Sequence, residues 1–282
     1  MNPVCVHPLV FIPRWTRADG PRAIGAAADC GFEMMIVPIR DPDAVDVPDL
    51  ALRAAAAGLR LICNTNHPPE SDPASDDPAI AARGAARLLD AVRLARDLGA
   101  VQLGGIPHAA WGKAAGPVTP RGRDHAIQAL SAAASLARQA GLRITLECVN
   151  RFENALLNTA AQALDLIAAV GAPNLLLHLD THHMLIEEAD PAAAIRAALP
   201  RLGFLEFSES HRGALGTGSV DVPAIAAAAR FYAGPVGFEA FSAAILAPDL
   251  AAHLCVWRDT YTDADAVARD ALRRIRRAMK GE

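Results

Sequence analysis

Short apolar runs alternate along the chain with longer segments in which alanine and leucine recur at helical spacing. This alternation is typical of repeated strand–helix units whose strands are parallel and buried. The apolar runs predict eight strands, near residues 4–11, 33–38, 59–64, 101–105, 143–147, 174–180, 202–208 and 235–240. The segments after them predict eight helices, near residues 17–30, 47–58, 76–98, 121–140, 158–170, 190–199, 221–232 and 262–279.

Glycines stand where five of these helices should end, a position at which glycine tolerates the left-handed backbone. They are Gly31, Gly58, Gly99, Gly141 and Gly171. Eight strand–helix units in 282 residues, with no interdomain linker, predict a single (β/α)8 TIM barrel over residues 1–282. A doubly wound open sheet fits less well, because it needs no eighth unit and no GxGxxG follows the first strand. The polar segment 72–78 is long enough to reach over the barrel mouth.

Composition narrows the class of protein. The net charge of −4 gives no indication of binding to nucleic acid or to an anionic membrane. Five scattered cysteines without a CxxC pair indicate neither a zinc ribbon nor a disulfide framework, which favours a reducing cytoplasmic location. The first 15 residues contain three prolines and no long apolar segment, so we expect no signal peptide, and no apolar run is long enough to span a membrane.

Four acidic residues end or interrupt successive apolar runs in the second half of the chain. Glu147, Asp180, Glu206 and Glu239 are separated by 33, 26 and 33 residues, close to the length of one strand–helix unit. In a parallel barrel their side chains would meet at the C-terminal face, where catalysis occurs. Four such carboxylates do not all stay ionised together without a cation. The spacing therefore predicts a divalent metal site, and its oxygen donors favour Mg²⁺ or Mn²⁺.

Further polar and aromatic residues follow the predicted strands. Glu153, His183 and Arg212 come after the fifth, sixth and seventh strands, although a structural histidine or a surface salt bridge would also explain the last two. On the opposite side of the barrel, side chains that could pack against a sugar ring, or simply against the rim, are Phe11, Trp15, His67, His108 and Trp111. The glycine-rich segment 213–218 lacks the Lys-Ser/Thr of a phosphate loop, so we interpret it as a turn.

Several longer motifs are more specific. Residues 146–153 read LECVNRFE, residues 179–184 read LDTHHM, and residues 238–241 read FEAF. Glu209–Arg212 is followed by Gly-Thr-Gly at 216–218. With these motifs the chain resembles, nearly end to end, the D-tagatose 3-epimerase and D-psicose (D-allulose) 3-epimerase family of xylose-isomerase-like TIM barrels.

The resemblance implies an isomerase that interconverts free keto-sugars by removing and returning the proton at C3 through a cis-enediolate. It implies Glu147 and Glu239 as the acid–base pair, and Glu153, His183 and Arg212 as substrate contacts, with Trp111, His108 and His67 as further candidates. The family metal is usually Mn²⁺, with Co²⁺ or Mg²⁺ in some members, and its ligands are Glu, Asp, His and Glu. Those positions correspond to Glu147, Asp180, Glu206 and Glu239. Glu206 thus replaces the family histidine, and whether it binds the metal is left open.

Other functions remain compatible with these residues. A lyase or dehydratase on the same barrel, such as an enzyme that cleaves 3-keto-C-glycosides with a small partner subunit, would use the same deprotonation next to a ketone. A non-catalytic sugar-binding barrel is a third interpretation. A DNA-repair endonuclease is disfavoured by the missing basic groove and the few histidines at the metal site. A homodimer or homotetramer is expected.

Overall fold

Eight parallel strands close into a barrel in the computed structural model, which describes residues 2–282. They are β1 (Val4–Val6), β2 (Met34–Pro38), β3 (Arg60–His67), β4 (Gln102–Ala110), β5 (Arg143–Cys148), β6 (Leu175–Asp180), β7 (Leu202–Ser208) and β8 (Val236–Glu239). Each strand pairs with its neighbours in sequence, and β1 closes the barrel against β8 with Val6 opposite Phe238. The predicted (β/α)8 TIM barrel is confirmed.

Within residues 2–282 the chain forms ten α-helices rather than the eight predicted. They are α1 (Gly20–Cys30), α2 (Val47–Ala56), α3 (Pro78–Asp97), α4 (Pro120–Gln139), α5 (Ala160–Val170), α6 (Thr181–Glu187), α7 (Pro191–Ala198), α8 (Val222–Ala228), α9 (Pro248–His253) and α10 (Ala264–Lys280). The two additional helices, α6 and α9, follow β6 and β8 at the C-terminal end of the barrel. None of these helices is both long and apolar enough to cross a membrane.

Three strands end more than one residue away from their predicted ends. β1 ends at Val6 because Pro8, which has no N–H for a sheet ladder, begins a 3₁₀ turn over Pro8–Val10. β3 and β4 continue beyond the predicted ends to His67 and Ala110. Their pairing shifts register between Thr65 and His67, opposite Gly105, whose φ of 81° only glycine adopts easily.

Two of the four hydrophobic clusters in residues 2–282 form the core around the strands. A small cluster fills the barrel interior, formed by Cys5, Met34, Ile36, Ile62 and Phe204. A larger cluster lies between the strands and the surrounding helices. Alanine positions on α4, such as Ala133 and Ala137, are completely buried there, so the helix packs closely on the sheet. Apolar packing thus fills the bottom of the barrel, and polar residues are concentrated at its C-terminal end.

The segment 72–78 packs against helices instead of covering the barrel mouth. A Cβ on Gly84 of α3 would lie 2.4 Å from the backbone N of Pro73 and 2.7 Å from the carbonyl oxygen of Ser71. A Cβ on Gly122 of α4 would lie 2.2 Å from the carbonyl oxygen of Ala74. The absence of side chains at these two positions lets the segment lie flat on the helices.

Replacing Gly84 by alanine should therefore destabilise the fold, by about 1–3 kcal/mol, because the new methyl overlaps backbone atoms that cannot move freely. Gly25→Ala in α1 is the matched control. It meets nothing within 4 Å and should stabilise the chain by about 0.5–1 kcal/mol through helix propensity. Denaturant midpoints of the two variants would test the contrast. Equal changes of the denaturant midpoint in both variants would show that the 72–78 segment can move away from the new methyl group without loss of stability.

Candidate active site

One cavity of about 570 Å³ opens at the C-terminal end of the barrel. Seven of the predicted site residues line it, namely Trp15, Trp111, Glu147, Glu153, His183, Arg212 and Glu239. Asp180 and Glu206, which are 0% and 1% exposed, lie just beneath it. The four matched acids therefore converge on one place, as their spacing predicts.

The strand register arranges these acids in layers. Glu147 on β5 lies opposite His178 on β6, and two residues further along β6 Asp180 lies opposite Glu206 on β7. Glu206 in turn lies opposite Gly237 of β8. Glu239 lies two residues closer to the C-terminal end of the barrel, opposite Ser208. A Cβ at residue 237 would meet the Phe204 ring at 2.5 Å and Glu206 Oε1 at 3.0 Å, so Gly237 makes room for the Glu206 carboxyl.

The side-chain atoms of these residues that could bind a metal fall into three overlapping groups. Within each group all of these atoms lie within 4.8 Å of one another. The groups are Glu147–Asp180–His183, Glu147–His178–Glu206 and Asp180–Glu206–Glu239. Carboxylate oxygens and imidazole nitrogens suit a divalent ion such as Mg²⁺, Mn²⁺ or a later transition metal. Glu206 Oε1 is also buried without a hydrogen-bond partner, as expected of an atom that awaits a cation. The residues present fit a divalent metal.

Arg212 supplies a positive charge to this cluster. Its Nη1 donates to Asp180 Oδ2 at 2.8 Å, to Ser208 Oγ at 2.7 Å and to Glu239 Oε2 at 2.5 Å. The backbone of Arg212 has a left-handed φ of 61°, held by its N–H to Glu209 O and by Phe241 N–H to its carbonyl. The strained conformation turns the guanidinium inward, over the ring of Phe241.

A second network fixes His183. Its Nδ1 accepts from the backbone N–H of Asn150 at 3.1 Å and lies 2.9 Å from Asn150 Nδ2, which is also a donor. The proton of the neutral ring is therefore on Nε2. Arg212 Nη2 is 3.1 Å from that nitrogen, which places two donors side by side rather than in a hydrogen bond. His183 thus presents an N–H toward the cavity.

Glu153 completes this wall of the cavity. Asn150 Nδ2 donates to Glu153 Oε1 at 2.8 Å, and the indole N–H of Trp111 donates to Glu153 Oε2 at 3.0 Å. The backbone N–H of Gly112 also donates to the Glu153 carbonyl oxygen at 2.8 Å. The β4 and β5 loops are therefore joined through the predicted substrate contacts Trp111 and Glu153.

Burial dominates the electrostatics of the site. It raises the pKa of Glu147 to about 8, against the attraction of His178. Burial, with the charges of Glu239 and Asp180, raises the pKa of Glu206 well above its ordinary value. Burial and the nearby Arg212 lower the pKa of His7 to about 3 and that of His183 well below 6.5. The imidazoles His7 and His183 are neutral at physiological pH, and the carboxyls of Glu147 and Glu206 hold protons unless a cation compensates them.

Two predicted contacts lie elsewhere. His67 and His108 are 1% and 0% exposed and are not among the residues that line the cavity. Burial lowers the pKa of His67 to about 4 and of His108 to about 3. Their neighbours Asn64, Thr65 and Asn66 on β3 line the cavity instead. The structure therefore places both imidazoles in the barrel wall and gives no support to a contact with substrate.

Other residues of the site were not predicted from the sequence. His7, at the end of β1, has its Nε2 3.7 Å from Glu239 Oε1, and His178 lies between Glu147 and Glu206. The alternation of side chains along a strand would have identified His178, because it is two residues before Asp180 and therefore on the same face. Arg14 and Arg40, which follow β1 and β2, line the outer part of the cavity.

The glycine-rich segment 213–218 wraps a carboxylate. Glu209 Oε1 accepts from the N–H groups of Ser210 and Val220, and Oε2 accepts from Gly216 N–H. These bonds lower the pKa of Glu209 although its partial burial acts in the opposite direction. The backbone donors of the segment are thus used within the protein, in agreement with its interpretation as a turn.

Several known proteins that match this chain over most of its length are ketose 3-epimerases. The family model described as xylose isomerase-like TIM barrel matches residues 24–278. This chain belongs to that family. It is 38% identical to an L-ribulose 3-epimerase of Methylomonas sp. (strain DH-1), over 96% of this chain and 95% of the relative. It is 39% identical to an L-ribulose 3-epimerase of Mesorhizobium japonicum, over 96% and 92% of the two chains.

Solved structures agree with the sequence relatives. The crystal structure of a D-allulose 3-epimerase from Methylomonas sp. in complex with D-allulose superposes with a TM-score of 0.94 and 37% identity, over 98% of this chain and 96% of that one. A 3-keto-D-glucoside 4-epimerase from E. coli shares the fold at 18% identity, with a TM-score of 0.77. The second likeness shows a common barrel alone.

Binding of a divalent metal should release protons at neutral pH. The raised pKa values of Glu147 and Glu206 mean that the metal-free chain carries protons that the ion must displace. The apparent affinity should rise with pH by about tenfold per unit for each proton released, until about pH 8 for Glu147. Calorimetry in buffers of different ionisation enthalpy measures this release. A binding heat that is independent of the buffer below that pH would contradict the assigned protonation.

Proposed function

We propose that this enzyme is a ketose 3-epimerase that acts on free keto-sugars and binds a divalent metal ion, with Mn²⁺ as the expected metal. One observation carries the proposal. Glu147 and Glu239 line a single cavity, and a pair of donors lies between them. His183 Nε2 is 3.8 Å from Glu147 Oε1, Arg212 Nη2 is 3.1 Å from the same nitrogen, and Arg212 Nη1 is 2.5 Å from Glu239 Oε2.

This arrangement suits the exchange of a proton on either face of a carbon. A ketose lying over His183 and Arg212 would have one carboxyl on each side. Glu147 or Glu239 would remove the C3 proton as a carboxylate, and the other would return a proton from the opposite face. Their burial favours this division of roles, because raised carboxyl pKa values allow one protonated and one ionised group at working pH. His183 N–H and the Arg212 guanidinium would stabilise the negative oxygen of the enediolate.

Glu147, Asp180, Glu206 and Glu239 would hold the metal. When bound, the ion would polarise the keto-sugar carbonyl and make the neighbouring proton more acidic. The exception to the family pattern, Glu206, is buried, opposite Asp180, and has a free oxygen that supports a role as a ligand. The all-carboxylate set favours hard ions such as Mn²⁺ or Mg²⁺ over zinc.

A lyase that acts on a larger keto-glycoside is the second candidate. The cavity continues outward from the acids between Trp15, Trp111 and Arg40. Two indole rings beyond the reacting carbons would accommodate a second ring or an aromatic substituent. The same deprotonation next to a ketone would then expel that substituent instead of inverting the carbon.

Exposed apolar side chains support the expected assembly, and the cysteines support the expected cellular location. Phe152, Ile186 and Trp257 are exposed large apolar side chains, and all three line a second cavity beside the mouth of the first. Such a patch favours association with a further subunit, which agrees with the proposed homodimer or homotetramer. The cytoplasmic location rests on the reduced, scattered cysteines.

Glu147→Gln and Glu239→Gln should each abolish C3 exchange. Loss of an acid–base group costs about 10²–10⁴-fold in rate, and each residue would also lose a metal ligand. The measurement is deuterium incorporation at C3 of D-fructose, D-tagatose or L-ribulose in D₂O. Glu70→Gln, at an exposed glutamate, is the control and should keep the wild-type rate. Wild-type protein with bound metal that exchanges none of these sugars would exclude the epimerase and favour the lyase.

Arg212→Met should raise KM for the keto-sugar by about tenfold or more, since a hydrogen bond from a charged donor contributes about 1.5–3 kcal/mol. It should not release the metal, because a guanidinium has no acceptor atom. Arg151→Met is the matched control, as Arg151 binds Glu187 at the surface. Sugar binding and metal content are measured on both variants. Metal loss in Arg212→Met alone would mean that the guanidinium organises the ligands rather than the sugar.

A further inference from the structure

His178 is a buried imidazole without a hydrogen bond. It is 1% exposed, and it lies between two carboxylates, with Nε2 3.2 Å from Glu206 Oε2 and Nδ1 3.7 Å from Glu147 Oε2. Neither contact has hydrogen-bond geometry, and Glu206 Oε1 is unpartnered as well. Buried polar atoms are nearly always paired, so three unpaired atoms at one place indicate a missing partner.

The possible metal ligands around His178 fall into groups that share carboxylates. Glu206 belongs to two groups of donors, an upper one with Asp180 and Glu239 and a lower one with Glu147 and His178. None of these groups within residues 2–282 contains all four matched acids. A single ion held by the four matched acids would still leave both nitrogens of His178 without a partner.

We propose that the lower group, Glu147, His178 and Glu206, is a second divalent cation site, joined to the upper group through the Glu206 carboxylate. Its two carboxylates and one imidazole suit a transition ion such as Mn²⁺ or Co²⁺. Paired metal sites in enzymes hold their ions about 3.5–4 Å apart. The inference rests on the proposed function only in that the four matched acids are taken to hold the first ion, so that Glu147 and Glu206 would be shared between the two ions.

Glu206 is the residue that makes this possible. A histidine at this position, as in the family pattern, would offer one nitrogen to one ion. A carboxylate has two oxygens, and here Oε2 faces His178 while Oε1 faces the space above Gly237. Glycine at 237 leaves that oxygen uncovered. The replacement thus converts a terminal ligand into one that can bridge two ions.

The charge of the site agrees with two ions. Five carboxylates surround the cavity, and Arg212 is ion-paired with two of them, Asp180 and Glu239. The other three belong to Glu147, Glu153 and Glu206. Fully ionised, the set has four negative charges in excess, which equals the charge of two divalent ions. With a single ion, protons would have to neutralise the remaining two charges, because buried carboxylates are costly to leave ionised without a partner.

Manganese stoichiometry tests the proposal directly. Metal-stripped protein titrated with MnCl₂ should bind two ions per chain by calorimetry, and its electron paramagnetic resonance spectrum should show two exchange-coupled Mn²⁺ ions. One ion per chain with the spectrum of an isolated Mn²⁺ would overturn the second site and leave the proposed epimerase intact. Binding of no ion would remove both the second site and the metal of the proposed function.

Variants distinguish the loss of a metal ligand in the lower group from a general loss of folding. His178→Asn should lose one of the two ions and the coupled spectrum, and Glu206→His should do the same by removing the bridge. His108→Asn is the matched control, because His108 is also a fully buried imidazole with two unpartnered nitrogens but belongs to none of the donor groups. It should keep both ions. Circular dichroism checks that all variants are folded, and two coupled ions in His178→Asn would contradict the assignment.

Discussion

The charge of the buried carboxylates at the C-terminal end of the barrel is the constraint on which the rest of the site depends. Asp180 and Glu206 are essentially without solvent, and the apolar layer around Phe204 lies directly below them. Burial raises the pKa of Glu147, Glu206 and Glu239, so the protein must supply protons, cations or donors to keep them there. Arg212 is the positively charged side chain that the protein supplies to these carboxylates. Its left-handed backbone conformation is held in place by two main-chain hydrogen bonds.

Much of this arrangement follows from the sequence because strand ends are easy to recognise. A β/α unit has a nearly constant length, so acids at matched distances had to meet at one end of the barrel. Glu147, Asp180, Glu206 and Glu239 do so. The hydrogen-bond network of Asn150, His183 and Glu153 could not be predicted from the sequence, because it depends on loop conformation and on which imidazole nitrogen faces a donor.

The assignment of His67 and His108 as substrate contacts shows where sequence reasoning fails. Predicted ends at residues 64 and 105 placed both histidines in loops, where side chains point toward the cavity. β3 and β4 in fact continue to His67 and Ala110, so both histidines belong to strands, where they are buried, and Asn64, Thr65 and Asn66 line the cavity instead. The register shift at Gly105 that allows this extension leaves only a weak trace in the sequence, a Gly-Gly pair within an apolar run.

Exchange of the family histidine for Glu206 has a consequence for how the work of catalysis is divided. Each added anionic donor holds a divalent ion more tightly but reduces the positive charge that the ion offers to a sugar oxygen. If the ion stabilises the enediolate less, donors of the protein must stabilise it more. Arg212 and the N–H of His183 are already adjacent at 3.1 Å and face the cavity, although two donors side by side gain nothing from each other. An anionic oxygen placed between them would relieve that contact, so the site is arranged to bind the developing charge more strongly than the neutral ketone.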